Sequence, residues 1–206
     1  MKNEGIRTVC VDEKTGMQAL ERVAETLPAE PGRPEKREFE YERHGTQCLT
    51  ANFEVGTGKI ISPTIGQTRT EPEFAEHIRQ TVATDAKAGW VFVCDNLNTH
   101  CSMALVLLVA TLCSVPHETL GTKGSKGILQ SMATRRAFLA DRSHRVRFVF
   151  VPKHTSWLNQ VEIWFGVLGR RVLRRGNFRS LEDQRSKVLE FIGYYNRTMA
   201  KPYRWT

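Results

Sequence analysis

No apolar run in these 206 residues is long enough for a membrane-spanning helix. The longest, Met103 to Cys113, is about half the length of a span, and the Met1 end is polar, without an export-signal core. The expectation is a cytoplasmic chain. Cysteine is also sparse: Cys10, Cys48, Cys94, Cys101 and Cys113 are odd in number and scattered, and no CxxC pair suggests a zinc knuckle or a redox dithiol. They are read as reduced thiols. Internal repeats and heptads are absent too, which excludes solenoids and coiled coils.

The chain does carry segregated charge. Residues 1–120 hold 12 Lys+Arg against 17 Asp+Glu, whereas residues 121–147 hold 7 against 1 and residues 163–206 hold 10 against 3. The net +8 therefore sits in the second half, which suits a polyanionic partner or, failing that, a solvated basic face. With 40% hydrophobic and 25% charged residues, the length supports one globular domain.

Short apolar segments at Ile6 to Val11, Trp90 to Cys94 and Arg145 to Val151 read as buried strands. The first two each deliver an aspartate, Asp12 or Asp95, at the end. Gly56-Thr57-Gly58 separates two strand-like runs, Thr46 to Val55 and Lys59 to Ile65, as in a hairpin. Residues 25–45, with three prolines, read as an exposed loop. Helical spacing marks Glu71 to Thr84, Ser102 to Ser114, Ser156 to Arg175 and Ser180 to Tyr195. This order describes an α/β fold with a mixed sheet flanked by helices, and it brings Asp12, Asp95 and Glu162 toward one sheet edge.

Three converging carboxylates suit hard divalent cations, and a metal pair can neutralise charge at a phosphorus and activate a water or hydroxyl. Taken singly, each has an ordinary alternative: an aspartate at a strand end also forms turns, and a helical glutamate also faces solvent. Around them, Asn98, His100, His154 and Asn159 are candidates for orienting the carboxylates from behind. Lys123, Lys126, Arg135 and Arg136 lie in a basic stretch, and Arg170, Arg171, Arg174 and Arg175 recur at helical spacing, all of them candidates to follow a phosphate backbone. Trp157 and Trp164 read as packing residues.

At these residues the sequence resembles the DDE transposases of the mariner-like superfamily, especially its bacterial insertion-sequence branch. The resemblance rests on Val11-Asp12-Glu13, on Cys94-Asp95-Asn96-Leu97-Asn98-Thr99-His100, and on the run from Pro152 through Glu162 with Trp164-Phe165 after it. Tyr194-Tyr195-Asn196 and Arg204-Trp205 extend it over nearly the whole chain. It implies an RNase H-like fold with Asp12, Asp95 and Glu162 as metal ligands. Two Mg2+ ions, or Mn2+, would be held with DNA bound. The implied chemistry is cleavage at transposon ends followed by strand transfer into target DNA, usually at a TA dinucleotide, by a homodimer associated with the nucleoid.

Two departures accompany the resemblance. The helix-turn-helix recognition domains usual before the catalytic core are expected to be missing, so recognition would come from the rest of a longer chain or from a separate polypeptide. Asp95 and Glu162 lie 67 positions apart (162 − 95), roughly twice the family's common spacing, which places a basic insertion at about residues 114–144. That insertion reads either as a DNA contact or as a flexible surface loop. Two other readings share these residues: a nuclease of the same fold that cuts without joining, and a non-catalytic DNA-binding or assembly remnant.

Overall fold

A computed structural model describes residues 5–25, 27–36, 38–152 and 155–203. Five strands form one sheet in the order β3-β2-β1-β4-β5. β1 (Ile6–Arg22), β2 (Tyr41–Glu54) and β3 (Ile60–Gly66) form an antiparallel meander, while β4 (Gly89–Cys94) and β5 (Val146–Phe150) add in parallel beside β1. The helices are α1 (Glu71–Ala83), α2 (Met103–Leu112), α3 (Met132–Leu139), α4 (Gln160–Leu168) and α5 (Leu181–Thr198).

Alternation along β1 sorts the helices between two faces. Val9 and Val11 join Phe74, Ile78, Phe92 and Val106 in a core under α1 and α2. Cys10 points the other way, into a core with Leu49, Phe53, Trp164, Leu168 and Ile192 under α4 and α5. Up to the irregularity after Lys14, odd-numbered residues of β1 thus lie on one side of the sheet and even-numbered ones on the other. No helix among the described residues is long and apolar enough to cross a membrane. All five cysteines are free thiols.

The first strand differs from its expected extent. Asp12 is not at its C-terminal end, because β1 runs on to Arg22. What ends near Asp12 is the parallel pairing with β4, whose last partners are Cys10 and Val93; beyond them β1 is held by β2, opposite Ala51 at Asp12. Gly16, at φ +68°, accommodates a register shift between Lys14 and Met17, and the buried Met17 and Ala19 anchor the extension. Residues 25–45 are correspondingly not a plain loop. β2 begins at Tyr41, and bridges Leu27↔Lys36 and Glu30↔Arg33 continue the ribbon toward its tip.

A buried polar network ties β2 and β3 to α1. Asn52 Nδ2 donates to His77 Nε2 at 2.7 Å and to Thr81 Oγ1 at 2.8 Å and lies 3.2 Å from Ile61 O, and Thr64 Oγ1 lies 2.9 Å from His77 Nδ1. Burial pushes the His77 imidazole down to about 3, so it sits neutral. Its Nδ1 then carries the proton toward Thr64.

Residues 114–144 form neither an open loop nor a single excursion. A 3-10 turn at His117–Leu120, a bridge between Thr122 and Lys126, and α3 pack against α2 through the buried Leu120, Leu129 and Leu139. The expected helix at Ser156 to Arg175 is three pieces: a 3-10 turn at Ser156–Leu158, α4, and a π segment at Gly169–Leu173, where Arg174 N–H donates to Gly169 O at 2.8 Å. The break in phase leaves Trp157 63% exposed, contrary to its expected packing role, while Trp164 is fully buried.

Candidate metal-binding active site

Asp12 and Asp95 are set by the sheet register. Each lies two residues beyond the Cys10↔Val93 pair, on adjacent parallel strands where the ladder opens. Glu162 comes from above, in the exposed first turn of α4, its N–H bonded to Asn159 O at 3.0 Å. Asn159 is fully buried: its Nδ2 donates to Val11 O at 3.0 Å and lies 3.4 Å from Asp12 Oδ2, so it fastens the start of α4 to β1.

The aspartates are held in opposite electrostatic states. Burial pushes Asp12 up to about 7, against the Glu13 N–H it accepts at 2.8 Å, and the charges of Asp95, Glu13 and Glu162 add to the rise. Asp95 is lowered, chiefly by His100, against partial burial, with help from the Leu97 N–H at 2.9 Å and the Arg69 charge. Asp12 thus senses both other carboxylates. The only three Asp, Glu, His or Cys ligand atoms within 4.8 Å of one another among the described residues are those of Glu21, Glu42 and His44, out on the ribbon. The ligand atoms of Asp12, Asp95 and Glu162 are spread more widely than that.

Behind Asp95 stands His100, with no exposed surface. Its Nδ1 is 2.8 Å from Asp95 Oδ1, a close ionic contact off the hydrogen-bonding axis, and its Nε2 is 3.1 Å from Glu13 Oε1. Burial alone would lower this imidazole, but Asp95, Cys94 and Glu13 push it up to about 12. It is an imidazolium between two carboxylates.

The other candidate residues divide. Asn98 is exposed at the start of a 3-10 turn, with no side-chain hydrogen bond among the described residues. His154 lies outside the described residues. Arg170, Arg171, Arg174 and Arg175 are all exposed at the end of α4 and beyond, and Lys123 and Lys126 are exposed on the turn before α3. Arg135 and Arg136 are occupied elsewhere: Arg135 donates to Cys101 O at 2.7 Å and Leu129 O at 3.3 Å, and Arg136 lies over the Phe150 ring at 4.7 Å.

Sequence reasoning passed over Glu13, Asn96 and Arg69. Asn96 Nδ2 donates to Val151 O, joining the ends of β4 and β5. Arg69 lines, with Glu13, Cys48, Thr64, Phe74 and His77, a cavity of about 380 Å³ between β3 and α1. The available signal for Glu13 was its place beside Asp12 in a strand, which forces the two carboxylates to opposite faces.

This sheet order, with a meander followed by two parallel strands and carboxylates at the opened edge, defines an RNase H-like fold. The chain belongs to the DDE superfamily endonuclease family, whose model matches residues 7–185. The Mos1 transposase paired-end complex with left transposon end has the same fold, with a TM-score of 0.53 at 14% identity over 92% of this chain and 48% of that one. This chain therefore spans about half of that transposase. The Mos1 mariner paired end complex with Mn aligns over 93% of this chain and 53% of that chain at 15% identity, but its TM-score of 0.35 carries no weight. No sequence among the curated proteins matches the chain.

Proposed function

We propose that the chain is the catalytic domain of a mariner-like transposase of the bacterial insertion-sequence branch, cutting DNA at transposon ends and joining them to target DNA. The carrying observation is the placement of the carboxylates: Asp12 and Asp95 lie side by side two residues past the last parallel pair of β1 and β4, and Asn159 fastens the start of α4, which bears Glu162, to β1 beside Asp12. Such crowding of acids is costly without cations, and the all-oxygen donor set fits Mg2+ or Mn2+. Asp12, Asp95 and Glu162 would hold the ions, which in this class of chemistry neutralise the phosphate and activate the attacking oxygen.

The chain's own residues account for the rest of the site. Asn159 fixes the approach of α4 to Asp12, and His100 keeps Asp95 ionised and aimed. Arg170, Arg171, Arg174 and Arg175 supply an exposed cationic track beyond Glu162 on which DNA phosphates would lie. Two ends must meet for joining, so the working form is proposed to be a homodimer on transposon and target DNA.

The test is transfer of a labelled oligonucleotide 3′ end into a supercoiled plasmid with Mn2+. Joined product from the wild type that Asp95→Asn and Glu162→Gln abolish supports the reading, and product undiminished in either folded variant contradicts it. Nicked plasmid without joined label identifies the nuclease instead.

A further inference from the structure

β1 carries its two adjacent carboxylates to opposite sides of the sheet. Asp12 faces α4, and Glu13 lies on the side of α1, where its side chain is only 2% exposed. Burying a carboxylate away from the substrate side costs free energy unless a partner compensates it. The partner is His100, whose Nε2 is 3.1 Å from Glu13 Oε1 and whose other nitrogen is 2.8 Å from Asp95 Oδ1. Phe74 closes the third side, its ring centroid 4.2 Å from that of the imidazole.

Asp95 has little else to hold it. Its side chain is 39% exposed, and beyond His100 its only hydrogen bond among the described residues is the one it accepts from the Leu97 N–H at 2.9 Å. The orientation of this carboxylate therefore depends on the imidazole, and Glu13 holds the imidazole at Nε2, with Cys94 and Phe74 beside the ring. Glu13 also borders the cavity of about 380 Å³ under α1, and its Oε2 is buried without a hydrogen-bond partner. Shortening Glu13 would join that cavity to the His100 ring and give the ring room to turn.

We propose that Glu13 is a positioning residue that locks His100 and through it sets Asp95 for a divalent cation. The inference rests on the carboxylate site proposed above. It gives the adjacent Asp12 and Glu13 separate tasks, one facing the ion and one fixing the neighbouring strand's ligand from below.

The experiment is Mn2+ titration followed by electron paramagnetic resonance on the full chain, with folding checked by circular dichroism. Glu13→Ala should weaken Mn2+ binding about 10- to 100-fold, as loss of an outer partner of a metal ligand does. Glu13→Gln, which still accepts from Nε2, should restore it to within about threefold of wild type on that same basis. In an Asp95→Asn background, Glu13→Ala should change Mn2+ affinity no further. If Glu13→Ala does not fold, Glu13→Asp, which withdraws the carboxylate by one methylene, should show the same loss. A folded Glu13→Ala or Glu13→Asp chain with wild-type affinity overturns the proposal, as does an undiminished effect in the Asp95→Asn background. No Mn2+ binding by the wild type would overturn the carboxylate site itself, and this inference with it.

Discussion

Asp12 and Asp95 stand side by side in register, each two residues past the last parallel pair of β1 and β4, yet one carboxyl is raised and the other lowered. The difference comes from what lies behind each. Asp12 is buried among acids, and its polar partners among the described residues are the Glu13 N–H and Asn159, whereas Asp95 is partly exposed and faces an imidazolium.

The raised Asp12 makes metal-free stability depend on pH. Its folded value of about 7 lies above the ordinary 3.8, so its contribution is present in full below about pH 4 and is lost as pH rises through 7. Asp12→Asn removes the buried charge. Its melting temperature in EDTA should exceed wild type at pH 8, by an amount reflecting on the order of a few kcal/mol, and should match it near pH 4. Thermal melts at the two pH values check this, and an equal difference at both would contradict it.

Asn52 should be the least replaceable polar residue of the α1 face. Asn52→Ala leaves His77 Nε2 and Thr81 Oγ1 buried without their donor. A loss of about 2–4 kcal/mol is expected in urea unfolding, because unsatisfied buried groups keep their full desolvation cost.

Arginines beyond α4 should show in the salt dependence of DNA binding. Removing Arg170 and Arg174 should lower the slope of log K against log salt by about 0.9 for each phosphate that is no longer neutralised. Arg135→Ala should instead reduce stability, since its guanidinium holds Cys101 O and Leu129 O. Fluorescence anisotropy across a salt series separates the two effects.

Much of the fold was legible because β-branched runs and helical spacing are local signals. Ile6 to Val11 and Trp90 to Cys94 read correctly as strands, and both aspartates follow from them. The extension of β1 to Arg22 was hidden because a polar stretch, Asp12 to Gly16, is held there by β2 and not by its own hydrophobicity. Packing of residues 114–144 rests on single leucines within a basic stretch, too sparse to show a period. Trp157 was misjudged because the 3-10 turn before α4 breaks the helical phase. Glu13 and His100 meet across 87 positions, a pairing that no local pattern carries.

The central claim is that Asp12, Asp95 and Glu162 form a divalent metal site. The most direct measurement is calorimetric titration of Mn2+ into the wild-type chain and into Asp95→Asn, with circular dichroism establishing that both are folded. Binding by the wild type that Asp95→Asn weakens many-fold is the predicted result. A folded wild type that takes up no Mn2+, or an Asp95→Asn variant that binds it equally well, would contradict the account.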